Sequence, residues 1–204
     1  MDYGTYCNLK MDYVERFLSK EKTILDVGCG DANVLGHQLC HNRLERNGFS
    51  HLYGVDRNPS KTDNRIIAGD VTALSFKNGE FQQVICLDVV EHVPNYRKAL
   101  KELVRVASER IVIIVPTTRS KKFHQFVDFI RRLTGVNHFL LEGHYYEFFE
   151  PASENYVLNI VNEVKKMCPD VIKTRFFKLN YPIPFSKLFM RLGLIYSGLY
   201  IFDK

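Results

Sequence analysis

The run Thr23-Ile24-Leu25-Asp26-Val27-Gly28-Cys29-Gly30-Asp31-Ala32 constrains the fold more than any other part of the chain. Its apolar first half has the character of a strand covered on both faces, as in parallel sheets. Gly28 and Gly30 then allow a turn with backbone angles and close approaches that a Cβ would forbid. Asn33-Val34-Leu35 opens a helical stretch. Strand, glycine turn and helix in that order predict an α/β fold with a nucleotide-type pocket at the carboxyl end of the sheet.

A dinucleotide fingerprint requires G-x-G-x-x-G. Here Gly28-Cys29-Gly30 is followed by Asp31-Ala32-Asn33, so the third glycine is missing and Asp31 would repel a pyrophosphate. Further strands follow. Ser50 to Asp56 predicts a second one ending in a carboxylate, which suits the two hydroxyls of a ribose. Arg65 to Val71 predicts a third, ending in Gly69-Asp70. Phe81 to Pro94 begins as a buried strand and runs through Leu87-Asp88 into Val89-Val90-Glu91-His92. Tyr96 to Ala107 is helical, with Leu100, Leu103, Val104 and Ala107 on one face, and Arg110 to Pro116 is a fifth strand. Each feature alone has a plain structural reading: a widespread turn, a helix cap, a bend at Asp70. Four of them in this order, each at a strand's carboxyl end, point to one pocket.

The segment Asp26 to Ala32, D-V-G-C-G-D-A, resembles the first motif of class I S-adenosylmethionine-dependent methyltransferases, and Phe81 to Pro94 resembles their fourth. The chain is similar to the small-molecule methyltransferases of ubiquinone and menaquinone biosynthesis (methyltransferase type 11) over about Thr23 to Pro116. Three positions depart from that pattern. Ala32 stands where a glycine is common, Gln82-Gln83 follow Phe81 in place of the usual Asp, and Ser108-Glu109 replace a glycine pair. The resemblance implies a Rossmann-like, seven-stranded, mostly parallel sheet flanked by helices and ending in an antiparallel hairpin. It implies S-adenosylmethionine as cofactor, with Asp26, Gly28, Cys29 and Gly30 at the methionine end, Asp56 at the ribose, and Arg57 among the cofactor-binding residues. Asp70 and Val71 would meet adenine, and the Leu87 backbone would lie by the amino acid part. The implied activity is O-methylation of a small phenolic, quinone-like or lipid-linked molecule. A non-catalytic cofactor-binding partner or sensor module is the alternative of another class. A dehydrogenase on a similar fold is a third, disfavoured by the missing glycine.

Methyl transfer is a direct displacement on an activated sulfonium, so alignment supplies much of the rate. A hydroxyl acceptor with a pKa of about 10 also needs a group to take its proton. The candidates are His92, after the fourth strand, and His144, in Gly143-His144-Tyr145-Tyr146. Each has a structural alternative: His92 as a packing residue, and His144 as a cap for the helix after Phe148-Phe149-Glu150-Pro151.

At 204 residues and 46% hydrophobic, the chain fits a single domain over 1–204. Asn8 to Leu18 places Leu9, Tyr13, Val14, Phe17 and Leu18 at helical spacing, so residues 1–22 are expected as a helix over the cofactor mouth. Residues 117–151 read as a lid insertion. Within it, Lys121 to Leu133 sets Phe123, Phe126, Val127, Ile130 and Leu133 at helical spacing among Arg119, Lys121, Lys122, Arg131 and Arg132. This helix either packs on the domain with its charges solvated or covers an anionic or amphipathic acceptor; contact with a membrane surface is a further reading. The net charge of +5 agrees with the cationic reading. Nucleic acid is not an expected partner, because no recognition motif is present and the basic residues form no long stripe. The Asn/Asp-Pro-Pro-Tyr signature of enzymes that methylate amino groups on bases is also absent; Leu87-Asp88-Val89-Val90 stands there.

Ala152 to Met167 predicts another helix, with Tyr156, Val157, Ile160, Val161 and Val164 on one stripe. Val171 to Leu179 and Leu194 to Phe202 predict two strands joined through Pro182-Ile183-Pro184, with Val171, Phe177 and Leu179 on one side of the first. The five cysteines are scattered without a Cys-x-x-Cys pair, so neither a metal site nor a disulfide framework is expected. Cys29 and Cys86 read as small buried thiols. No apolar run reaches spanning length and the N-terminus lacks a secretory pattern, so a reduced, cytoplasmic protein is expected.

Overall fold

A computed structural model describes residues 3–30, 38–118, 154–179 and 195–204. Tyr3–Val14 forms α1 and Glu15–Phe17 a 3-10 turn. Next come β1 (Ile24–Val27), α2 (Leu39–Arg46), β2 (Leu52–Asp56), β3 (Ile66–Ala68) and β4 (Phe81–Leu87). A 3-10 turn at Val90–His92, α3 (Tyr96–Val106) and β5 (Ala107–Thr118) follow. The described chain ends with α4 (Glu154–Met167), β6 (Lys173–Leu179) and β7 (Ile195–Asp203).

The seven strands make one sheet in the order β3-β2-β1-β4-β5-β7-β6. β1 to β5 pair in parallel, and β7 runs antiparallel to both β5 and β6. The order runs outward from β1 through β2 and β3 on one side, and through β4 and β5 on the other. The carboxyl ends of β1 and β4 therefore flank the reversal point, where open α/β sheets bind ligands.

Alternation along the central strands feeds two cores, one on each face of the sheet. Leu25, Val27, Val84 and Cys86 pack with Leu100 and Leu103 of α3 and Ile160 and Val164 of α4. Ile24, Ile85, Leu87 and Ile114 pack with Cys7, Met11 and Val14 of α1 and Cys40 and Leu44 of α2. Strands covered on both sides account for the near-continuous apolar character of β1 and β4. α3 starts where Asn95 caps it, its side chain accepting the Lys98 N–H at 3.2 Å.

Three expectations are corrected. The buried stripe of α1 is Cys7, Lys10, Met11 and Val14, whereas Leu9 and Tyr13 are 37% and 42% exposed. The stripe is rotated from the expected one because compact Cys7 and unbranched Met11 fit the sheet face, and Phe17 and Leu18 lie beyond the helix. α1 is consequently part of a core. β5 extends from Ala107 to Thr118, past the expected Arg110 to Pro116, because β7 pairs with it from Arg110↔Asp203 to Thr118↔Ile195. Thr117 and Thr118 therefore belong to the sheet; the rest of the expected lid, with the Tyr145-Tyr146 pair, lies outside the described residues. Val171 and Phe177 do not share a side: Val171 precedes β6 and packs on the α3–α4 core, while Phe177 meets Phe17, which packs on the α1–α2 core, at 5.4 Å.

Candidate functional site

The glycine turn is fixed from β2. Gly28 and Cys29 both donate their backbone N–H to the Val55 carbonyl, at 2.7 and 3.3 Å. Gly28 has φ +85° and Gly30 φ +137°, conformations that favour glycine. A Cβ on Gly28 would stand 2.2 Å from Val89 Cγ2, and one on Gly30 would stand 2.6 Å from the Gln38 Cα. Both glycines are thus required by torsion and by space. Val89 lies directly against the turn, which brings the end of β4 beside it.

Asp56 ends β2 and is half-buried. Its Oδ2 accepts the Gly30 N–H at 3.1 Å, and its Oδ1 accepts the Asn58 N–H at 3.2 Å. Each oxygen keeps acceptor capacity for a further donor. Its neighbour Arg57 is exposed. Asp70 follows β3 and is exposed, with Oδ1 taking both the Thr72 N–H at 2.7 Å and the Thr72 hydroxyl at 2.8 Å. Those bonds hold its carboxyl below the usual carboxylate range. Val71 is buried in the core beside it, and Leu87 is buried at the end of β4.

Asp26 lies beneath the turn. It is buried, and its Oδ2 stands 3.0 Å from Nδ1 of equally buried His41 on α2. Gly54 makes room for this pair, since a Cβ there would press on Cys29 Sγ at 2.8 Å and His41 Cε1 at 3.1 Å. The Cys29 and Cys86 thiols are both buried, and desolvation pushes both upward in pKa, so neither is a ready nucleophile.

The end of β4 carries a second group of charges. Lys10 of α1, 3% exposed, donates to Asp88 Oδ2 at 2.7 Å. Asp88 itself takes φ +56°, the only positive value for a non-glycine among the described residues. Glu91 is 7% exposed and its Oε2 has no hydrogen-bond partner among the described residues. Burial, then the negative charge of Asp88, pushes the Glu91 carboxyl well above its ordinary value. His92 presents 34% of its side chain to solvent, with Nε2 4.0 Å from Glu91 Oε1. His144 lies outside the described residues.

The structure thus brings Gly28, Cys29, Gly30, Asp56, Asp70, Val71, Leu87 and His92 to one edge of the sheet and sets Asp26 just below. Sequence reasoning missed Lys10, His41, Asp88 and Glu91 as site residues. Asp88 carried the signal used for Asp56, an acid closing an apolar strand. Lys10 carried another, a lysine three residues past Cys7 and four before Val14 on an apolar stripe. The donors and acceptors suit an adenosyl cofactor without phosphate. Carboxylates stand at or just past the ends of β2, β3 and β4, where a pyrophosphate would be repelled and hydrogen-bond donors are favoured.

A reversal point between β1 and β4, carboxylates at successive strand ends and an inserted antiparallel β7 define a class I S-adenosylmethionine-dependent methyltransferase. The chain belongs to the methyltransferase-domain family, whose profile matches residues 4–154. It is 25% identical over 221 residues to an uncharacterised protein of Methanocaldococcus jannaschii, covering 94% of this chain and 89% of that one. It is 30% identical over 131 residues to the ubiquinone biosynthesis O-methyltransferase of Dechloromonas aromatica, covering 58% of this chain and 54% of that enzyme. Its fold matches that of Haemonchus contortus phosphoethanolamine N-methyltransferase 2 in complex with S-adenosyl-L-methionine. The TM-score is 0.63 at 13% identity, over 97% of this chain and 52% of the other. The chain is a methyltransferase whose cofactor is S-adenosylmethionine.

Proposed function

We propose that this methyltransferase transfers the methyl group to an oxygen of a small, phenolic or quinol-like acceptor. The observation that carries the cofactor half of this reading is Asp56, held by the Gly30 and Asn58 N–H groups at the end of β2. Its remaining lone pairs suit the ribose diol. Asp70, whose Oδ1 is occupied by Thr72, keeps Oδ2 for the adenine amino group, beside Val71. The Leu87 backbone borders the amino acid part. Asp26 acts from below, through His41 and the base of the turn. When bound, S-adenosylmethionine supplies a methyl group already activated on sulfur.

The acceptor half rests on the similarity to the ubiquinone O-methyltransferase and on His92. A hydroxyl acceptor needs a proton acceptor, and His92 combines partial exposure with a place just past β4. His144 is the second candidate for that role. The basic residues Arg119, Lys121, Lys122, Arg131 and Arg132 would favour an anionic or amphipathic acceptor.

Calorimetric titration with S-adenosylmethionine, S-adenosylhomocysteine and NADH tests the cofactor half. Both sulfur compounds should bind, NADH should not, and Asp56→Ala should weaken binding roughly 10- to 100-fold, the range for hydrogen bonds to a charged group. Methyl-labelled cofactor incubated with phenols, quinols and amines tests the other half. Label on oxygen, lost in His92→Asn with cofactor affinity unchanged, is the expected result. Label on amines alone would overturn it.

A further inference from the structure

Asp26 is an acid inside β1, between the buried apolar residues Leu25 and Val27. His41, on α2, sets Nδ1 3.0 Å from Asp26 Oδ2, and both side chains are 3% exposed. An ionised carboxylate only accepts, so Nδ1 carries the proton of this bond. A buried pair of this kind is a weak source of stability, because desolvation offsets much of the attraction. Two apolar side chains would fill the space as well. The sheet also forgoes a side chain for the pair. Asp26 lies in register with Gly54 of β2, and a glycine inside a strand weakens it. A Cβ there would stand 2.8 Å from Cys29 Sγ and 3.1 Å from His41 Cε1. The imidazole and the Cys29 thiol therefore share the room that Gly54 leaves.

That room lies under the glycine turn. Asp26 precedes Gly28 by two residues, and Cys29 is part of the turn itself. The negative charge of Asp26 adds to burial in pushing the Cys29 thiol upward. From the side, the turn hangs on the Val55 carbonyl, and Gly30 donates its N–H to Asp56 Oδ2 at 3.1 Å. The pinned acid under the turn and the ribose acid beside it are thus joined through three residues of backbone. We propose that His41 is a positioning residue for the glycine turn: its Nδ1–H, donated to Asp26, fixes Gly28 to Gly30 and through them the place of Asp56. The role rests on the cofactor's adenosine lying at Asp56, as proposed for this site. His41 acts on the adenosine half of the ligand without touching it.

Calorimetry with two ligands tests this. S-adenosylhomocysteine carries an amino acid end; 5′-methylthioadenosine keeps the adenosine and the thioether without it. His41→Leu fills the space but has no donor. His41→Asn keeps an N–H near the place of Nδ1 and leaves a void. His41→Leu should weaken both ligands by the same factor, roughly 3- to 30-fold, the range for a residue that acts on a ligand it does not contact. His41→Asn should melt below wild type yet bind both ligands within about threefold, because the donor is kept. A ring that only packs gives the reverse order, Leu binding like wild type and Asn more weakly, and overturns the proposal. A loss confined to S-adenosylhomocysteine places the effect at the amino acid end and overturns it too. If His41→Leu strands Asp26 and does not fold, the double variant Asp26→Leu/His41→Leu removes the buried charge. That chain should bind both ligands as weakly, and wild-type affinity in it overturns the proposal. Wild-type protein that binds neither ligand removes the placement of the cofactor itself, whereas wild-type binding left unchanged by every variant removes the role of His41 alone.

Discussion

Glu109 and Glu91 stand at opposite ends of the same sheet and are treated in opposite ways. Glu109, at the amino end, is bonded to Lys22 and accepts from Gln82 Nε2 at 2.9 Å. The Lys22 bond, and then Gln82, hold its carboxyl below the ordinary value despite some desolvation. Glu91, at the carboxyl end, is buried beside another acid, and its carboxyl is pushed well above. The surroundings follow the same division. At the amino end, Asp203 ties Arg110 to Arg175, and Arg110 also donates to the Phe17 carbonyl at 2.7 Å. At the carboxyl end a non-glycine residue takes positive φ, and two glycines admit no Cβ. One end pairs its charged groups with one another, and the other sets Glu91 close enough to Asp88 that its carboxyl is raised.

The sharpest way to break the carboxyl end is Gly28→Ala. The added Cβ meets Val89 Cγ2 at 2.2 Å and the backbone must hold φ +85°. Overpacking and left-handed strain together should cost about 2–4 kcal/mol of stability. Thermal melts should show that loss, and calorimetry should show no measurable S-adenosylhomocysteine binding in the fraction that folds. Normal affinity in Gly28→Ala would mean that the turn is not the cofactor's cradle.

How much of this contrast the chain displays before folding depends on whether a residue acts locally. The parallel strands, the glycine turn and the acids at positions 56 and 70 follow from runs of neighbouring residues. Those were legible, as was the antiparallel end. Lys10–Asp88 and Asp26–His41 join residues 78 and 15 positions apart. No local period marks such pairs, because each depends on how a helix is rotated against the sheet. The rotation of α1 shows this directly. Leu9 and Tyr13 are the larger apolar groups, yet Cys7 and Met11 take the core, and Lys10 comes with them. The departures at Gln82 and Glu109 are likewise explained only in three dimensions: they hydrogen-bond each other, at the end away from the cofactor.

Glu91→Gln sharpens the comparison with a smaller effect of unexpected sign. A carboxyl raised in the folded state contributes stability that is fully present below its unfolded value, near 4.5, and is lost as pH rises toward the folded value. At neutral pH the wild-type chain bears that loss and the amide does not. Glu91→Gln should therefore melt higher at pH 7, by roughly 2–4 °C, the response of a chain this size to about 1 kcal/mol. Near pH 4 the two should melt together. A lower melting temperature at pH 7 would mean that Glu91 is ionised and paired when folded.

Glu109→Gln is the matching change at the other end and should be the mildest. Its side chain and that of Lys22 are 39% and 37% exposed, so solvent screens the pair. A loss of about 0.2–1 kcal/mol is expected, shrinking further in salt. The sign with pH is reversed. A carboxyl lowered in the folded state contributes stability above its unfolded value, near 4.5, and loses it as pH falls through the lowered folded value. The gap between wild type and Glu109→Gln should thus be full at pH 7 and close in acid, while the Glu91→Gln gap opens as pH rises above about 4.5 and points the other way. Affinity for S-adenosylhomocysteine should not move, because Glu109 lies near the start of β5, at the end of the sheet away from the glycine turn. A change in that affinity would show that the two ends are coupled through β4 and β5, and that the amino-end network helps to set the strand ends that hold Asp88 and Glu91.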